Sequence, residues 1–365
     1  MEYPAIFILF FTAVRLIVAL INLAGRQWLK SGSLQHQPMV SVLIPARNEE
    51  GNIAHILEDI LGHDYNNLEV LVYDDLSQDN THKIAETYSS KDARMRVITG
   101  KKLPAGWLGK NYACHSLSLE AKGEYLLFID ADVRIRKGVI KDAAAIMQRY
   151  NLALVSLFPV QKMVTISEKI FVPLLNWILA SLLPLVLTRR SSRPSLSAAN
   201  GQFMLFDAKT YHKERFHEAH RHKLAEDISI FRYMKTQKYK VQTLLGNSRV
   251  TCRMYHSGGE AVQGLSKNVF EYFGGSPLPA FFFGLITTFG FIPVVFGMPF
   301  LYTIIYFSMV ILMRLIISAI SRQNIFFNLL LAPLQQAGFI IILVKAAIFK
   351  YSKTLLWKGR NIYRP

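Results

Sequence analysis

The sequence predicts an α/β fold on a mainly parallel, doubly wound sheet, with apolar helices that cross a membrane on either side of it. Three observations carry this. From Val40 to Tyr255, short apolar runs alternate with stretches of helical periodicity, the βαβα rhythm of a parallel sheet. Two of those runs end in acid clusters, Tyr73-Asp74-Asp75-Leu76-Ser77-Gln78-Asp79-Asn80-Thr81 and Phe128-Ile129-Asp130-Ala131-Asp132. The 365 residues are 51% hydrophobic with a mean hydropathy of +0.23, more than a soluble domain carries.

Taken in order, Tyr3 to Ala24 is an apolar stretch of spanning length interrupted only by Arg15, and Arg26 and Lys30 come directly after it. Basic residues at that end of a span place the next segment in the cytoplasm. The start Met1-Glu2-Tyr3-Pro4 lacks the basic region of a cleaved signal, so 1–30 is expected to be a retained anchor. A cytosolic domain is expected over 38–275. Its strands are Val40–Ile44, Glu69–Tyr73, Arg96–Ile98 and Tyr125–Ile129, and its helices Asn52–Leu61, Thr81–Ser89 and Asn111–Ala121. Ile170 to Leu187 is apolar enough to cross, but a crossing would put the acid clusters and Glu226-Asp227 on opposite sides of the membrane. Pro173, Asn176 and Pro184 also weaken it as a straight span. It is expected to be an interfacial hydrophobic helix or flap.

Membrane helices are expected again over 276–350, in the runs Leu278–Gly297, Phe300–Ile320 and Asn328–Phe349. Three crossings would leave the basic tail 351–365 outside, against the charge rule, so one run is expected to be re-entrant or interfacial. The net charge of +17 does not indicate nucleic acid. No acidic residue occurs after Glu271, and Lys345, Lys350, Lys353, Lys358, Arg360 and Arg364 cluster beside apolar sequence, a pattern that fits anionic headgroups. Two cysteines, Cys114 and Cys252, imply no disulfide framework. The expected location is a multi-pass cell-membrane protein with its catalytic domain in the cytoplasm.

In an open α/β sheet, ligands bind at the carboxyl ends of the strands. Two carboxylates spaced Asp-x-Asp there can share a divalent cation, and that cation would grip a diphosphate. His212, His217, His220 and His222 are dense but lack zinc spacing, since the position four after His217 is Arg221.

These residues resemble the family 2 glycosyltransferases, which have a GT-A nucleotide-sugar fold with a Rossmann-like sheet, over roughly Val40 to Phe273. The resemblance rests on Val42-Leu43-Ile44-Pro45-Ala46-Arg47-Asn48-Glu49-Glu50, on Asp74-Asp75-x-Ser77-x-Asp79-x-Thr81, on Asp130-x-Asp132 and on Glu226-Asp227. Leu103 to Lys110, Asn200-Gly201-Gln202 and Trp357-Lys358-Gly359-Arg360 are similar to the membrane-anchored branch that includes carotenoid and hopanoid glycosyltransferases.

The resemblance implies that Pro45, Arg47 and Glu49 receive the nucleotide and that Asp75, with Asp74, accepts from the uracil imide. It implies that Asp130 contacts the ribose or the metal's water shell and that Asp132 ligates Mg²⁺ or Mn²⁺. Asp227 would be the general base of an inverting transfer, with Glu226 positioning the acceptor. Lys110, Arg253, Lys267 and Gln202 are candidates for the diphosphate or acceptor side. The chain departs from the processive pattern: Gln263-Gly264-Leu265-Ser266-Lys267 replaces Gln-x-x-Arg-Trp. The expectation is transfer of a sugar from a UDP-sugar to a lipid-like acceptor of carotenoid or hopanoid type, with a polyprenyl phosphate as the alternative acceptor and a non-catalytic nucleotide-sugar-binding membrane protein as the rival.

Overall fold

The computed structural model describes residues 2–354, 356–357 and 360–361. Of the expected tail, residues 355, 358–359 and 362–365, with Lys358 and Arg364, lie outside the described residues. The chain forms two compact units. One contains Trp28–Val160 and Thr188–Arg253; the other contains the residues up to Gln27, Gln161–Leu187 and Met254–Thr354. The apolar segments 161–187 and 254–275 group with the helices that resemble them in composition.

The first unit is built on strands β1 (Val40–Ala46), β2 (Leu68–Asp74), β3 (Met95–Thr99), β4 (Tyr125–Ile129), β5 (Val133–Ile135), β6 (Leu154–Phe158), β7 (Val160–Gln161), β8 (Phe203–Asp207), β9 (Val241–Leu245) and β10 (Val250–Cys252). Seven form one sheet in the order β3-β2-β1-β4-β8-β6-β9. Among these seven, β8 is reversed, pairing antiparallel with β4 and β6. The parallel strands β1 and β2 are buried along nearly their whole length, as in a sheet covered on both sides, and their polar members Ser41 and Glu69 are hydrogen-bonded to each other. Helices Ile53–Leu61, Thr81–Ser89 and Gly109–Glu120 come after β1, β2 and β3, at the places the periodicity predicts. A core of Leu43, Leu71, Phe128, Met204, Phe206 and Phe231, with their neighbours, fixes the sheet against these helices.

Pairing of β1 with β4 ends at Leu43↔Phe128, while β1 continues beside β2 to Ala46↔Asp74. Pro45, which has no N–H to donate, therefore sits where one neighbour has already diverged. That divergence opens the crevice at the strand ends.

In the second unit, Glu2–Gly25, Phe300–Ile320 and Ala332–Ser352 are long and apolar enough to cross a membrane. The run expected from Leu278 to Gly297 is broken into Pro277–Phe289 and Phe291–Gly297, and the first piece is bent by 103° from the helical stretch before it. The segment 170–187 is also broken. Its central helix, Pro173–Leu182, has 10 residues, eight of them buried, and is too short to span hydrocarbon.

Candidate active site

The chain runs outward through β1, β2 and β3 and then returns to place β4 on the other side of β1. This is the topological switch point of the sheet, where the loops after β1 and β4 separate. The loops after β1 and β2 are tied together. Asn48 N donates to Ser77 Oγ (3.0 Å), Glu49 N to Thr81 Oγ1 (2.7 Å), Glu50 N to Asp79 Oδ2 (3.1 Å) and Gln78 N to Asn48 Oδ1 (2.9 Å). Much of the Asp74–Thr81 cluster is thus loop architecture, with Asp79 also accepting from the Thr81 backbone.

Asp75 is held at the end of β2 by its N–H to Ala46 O (2.8 Å), with Arg47 Nη1 2.5 Å from its carbonyl oxygen and 3.9 Å from its carboxylate. Asp74 turns toward the helix after β2, where His82 Nδ1 lies 3.5 Å away, and its buried Oδ1 has no hydrogen-bond partner among the described residues. Glu49 accepts from Asn52 Nδ2 (2.8 Å), and its charge reaches Asp132.

The end of β4 carries the Asp-x-Asp pair. Lys110, in the first turn of Gly109–Glu120, places Nζ 2.7 Å from Asp130 Oδ1 and 3.7 Å from Glu226 Oε1. Burial alone would lower its pKa, but Asp130 and Glu226 outweigh that and raise it, so the ammonium is permanent. The Asp132 carboxyl is pushed up to about 7 by burial and by the nearby charges of Asp130 and Glu49. It is hydrogen-bonded to the Cys252 thiol, while its buried Oδ1 has no partner among the described residues.

Asp227 lies in the first turn of the helix Glu226–Thr236. Its Oδ2 accepts from Gly201 N and its Oδ1 from its own neighbour Ile228 N, both at 2.8 Å. Burial and the Glu226 charge raise it to about 7 against these two bonds and the Lys110 charge. A carboxylate so held is oriented and poised as a base near neutrality. Gly201 lies close under the site: a Cβ there would stand 3.2 Å from Lys110 Nζ, 3.3 Å from Glu226 Oε1 and 3.6 Å from Asp227 Oδ2, tight against the first two.

Among the described residues no three histidine, cysteine or acidic side chains converge as a metal cage. The residues nevertheless fit a cation that takes most of its ligands from phosphate and water, because Asp132 Oδ1 is buried and unsatisfied beside a second carboxylate, Asp130.

The sheet edge therefore brings Lys110, Asp130, Asp132, Glu226 and Asp227 together and sets Pro45, Arg47, Glu49, Asp74 and Asp75 along the adjoining loops. Gln202 has a supporting position: its carbonyl accepts from Asp130 N (3.2 Å) and its amide donates to Cys252 Sγ (2.8 Å). Arg253 comes directly after Cys252, and Lys267 belongs to the helix Gly258–Asn268 of the other unit. His217 is a core residue, bonded to Tyr211 Oη (2.7 Å), packed on Phe128 and pushed down to about 3 by burial and the Lys110 charge.

Sequence reasoning missed Cys252 and Asn111. Cys252 reaches the site because β10 pairs with β5, setting Cys252 opposite Val133, next to Asp132. Asn111 Nδ2 donates to the carbonyls of His220, Arg221 and Lys223 at 3.0–3.1 Å and so holds the loop that leads into Glu226. No local pattern signals either contact.

A switch-point crevice with an Asp-x-Asp pair, a fixed lysine and an oriented aspartate is the architecture of a GT-A glycosyltransferase. Residues 41–213, a little under half of the chain, match glycosyl transferase family 2. Over 258 residues it is 26% identical to 4,4'-diaponeurosporenoate glycosyltransferase of Staphylococcus aureus (strain USA300), covering 69% of this chain and 66%, just under two thirds, of that relative. It is 30% identical to the glycosyltransferase GlyG of Streptococcus pneumoniae serotype 4 over 103 residues, 28% of this chain and 33% of that one. Its fold is similar to the mannosyltransferase PcManGT of Pyrobaculum calidifontis, solved with GDP-Man and Mn²⁺, with a TM-score of 0.55 at 16% identity over 94% of this chain and 99% of that one.

Proposed function

We propose that this enzyme is an inverting transferase that moves a sugar from a uridine-diphosphate donor to the polar end of a membrane-borne, terpenoid acceptor. The observation that carries this is Asp227, fixed by two backbone N–H groups with its pKa near 7, beside a lysine locked to the Asp-x-Asp cluster. Asp75 and Arg47 would hold the nucleotide base, and Pro45, Glu49 and Asp74 shape its loop. Asp132, with Asp130, would hold Mg²⁺ or Mn²⁺, which when bound neutralises the diphosphate.

Asp227 accepts the proton of the acceptor hydroxyl as that oxygen bonds the anomeric carbon. The bond from that carbon to the diphosphate oxygen breaks on the opposite face, and the diphosphate leaves with the electron pair. Lys110 offsets its growing charge. For a carboxylate acceptor no proton is removed, and Asp227 orients only. The carotenoid substrate named for the Staphylococcus relative, together with helices able to cross a membrane, supports an apolar acceptor of this type, in a cell membrane with the sheet unit on the cytoplasmic side. Glu226 and Arg253 are assigned to the acceptor or diphosphate side.

The test is transfer by the purified full chain from UDP-, GDP- and dTDP-sugars to an apocarotenoid acid, a hopanoid alcohol and a polyprenyl phosphate, with Mg²⁺, Mn²⁺ or EDTA. Cation-dependent transfer from a UDP-sugar to a terpenoid is expected. Transfer from a GDP-sugar alone, or to polyprenyl phosphate alone, overturns the donor or the acceptor assignment respectively.

A further inference from the structure

Within the helical unit, two arginines are buried with no acid beside them among the described residues. Arg15, in Glu2–Gly25, is 4% exposed and Arg314, in Phe300–Ile320, is 6% exposed. Arg15 donates from Nε and Nη2 to the single Ser181 Oγ (3.3 and 3.0 Å). Arg314 donates from Nη1 to Asn328 O (3.2 Å) and Gln335 Oε1 (2.6 Å). Both guanidinium groups stand against one indole, Trp177, at 4.5 and 5.8 Å from its ring. The Trp177 N–H is itself buried and meets no acceptor among the described residues. Glu168, the acid on the neighbouring short helix, is engaged in the cap at Thr165.

The two arginines and Trp177 line one cavity together with Thr12, Tyr306 and Gln336. Its polar lining beyond the two guanidinium groups and the indole is neutral, Thr12, Thr287, Tyr306 and Gln336, and no acid is among the residues that line it. A guanidinium has five donors, so each arginine keeps some that no protein acceptor takes. Two like charges on apolar helices without a counter-charge are expensive, and an ionisable residue at such depth marks a ligand site.

We propose that this cavity is a binding site for the oxyanion head, a carboxylate or phosphate, of a membrane amphiphile, bridged between Arg15 and Arg314 with Trp177 donating to it. The proposal does not depend on the donor or acceptor proposed above. An oxyanion suits the wall because a guanidinium presents paired N–H groups to a carboxylate or phosphate.

The experiment uses the full chain in neutral detergent. Native mass spectrometry and thermal melting are recorded with oleate, phosphatidic acid, phosphatidylcholine and inorganic phosphate. Expected is one retained anionic lipid and a melting temperature several degrees higher with oleate or phosphatidic acid, with no shift from phosphatidylcholine. A shift with inorganic phosphate equal to that with phosphatidic acid would place the site's preference on the free ion and overturn the amphiphile. Arg15→Gln and Arg314→Gln should each raise the half-saturating lipid concentration at least tenfold. If either variant fails to fold, the wild-type comparison of charged and neutral lipids still decides. Equal response to oleate and phosphatidylcholine, or unchanged binding in both variants, overturns the proposal.

Discussion

In the mechanism proposed above, Asp227 and Lys110 divide the chemistry at the residue scale. Asp227, raised to about 7, is protonated below that pH and cannot take a second proton, so with a hydroxyl acceptor kcat/KM should rise through about pH 7 and level off above it. Asp227→Asn should lower kcat by about 10²–10⁴, the usual contribution of a general base. A pH-rate profile and a thermal melt of the variant check both points, and a variant that melts as the wild type yet keeps full rate refutes the assignment. Lys110→Met leaves Asp130 and Glu226 facing each other without their shared cation. Its rate should fall by about 10²–10³, on the scale of losing one charge-stabilising group.

Between elements, the site depends on how Gly109–Glu120 is tied to the loop before Glu226–Thr236. Asn111 makes that tie through three carbonyl contacts while 1% exposed, so Asn111→Ala should cost about 1–3 kcal/mol, the penalty for stranding buried acceptors. It should also lower kcat by releasing Glu226 and Asp227. A denaturant titration beside steady-state kinetics measures both, and loss of neither would show the loop to be self-supporting. This tie also marks the limit of what the chain discloses before folding. The strands Val40–Ala46, Leu68–Asp74 and Tyr125–Ile129 are legible because parallel strands covered on both faces read as nearly continuous apolar runs, interrupted here only by Ser41 and Glu69 before their ends. Asp74, Asp75, Asp130 and Asp132 are legible because each comes at or just past the end of such a run. The contacts of Cys252 with Asp132, of Gln202 with Asp130 and of Asn111 with residue 220 onward join positions far apart in sequence, and nothing local encodes them. The stretch from Ser77 to Thr81 promises more chemistry than it holds for the same reason: Ser77, Asp79 and Thr81 lace loops together, through partners some thirty residues away.

Across the whole molecule, the apolar segments raise a question of parity. Hydropathy counts three runs after residue 276, and an odd number of crossings would carry a basic tail away from the side where Arg26 and Lys30 lie. The break at Gly290 leaves pieces of 13 and 7 residues, about 20 and 10 Å long at 1.5 Å per residue, and neither matches a hydrocarbon thickness near 30 Å. Phe300–Ile320 and Ala332–Ser352, at 21 residues each, do match it. Two crossings return the chain to the side from which it left, and the charge rule and the helix lengths then agree. A reporter fused after residue 365 should therefore sit on the same side as one inserted at residue 35, while one inserted between Arg322 and Asn324, in the link between those two helices, should lie across the membrane. Labelling of single cysteines at these three places by an impermeant maleimide, in a Cys114→Ser, Cys252→Ser background, reads the three positions directly. A tail on the opposite side from residue 35 would mean that the broken pair crosses as one bent span, and the sheet unit and the tail would then face different compartments.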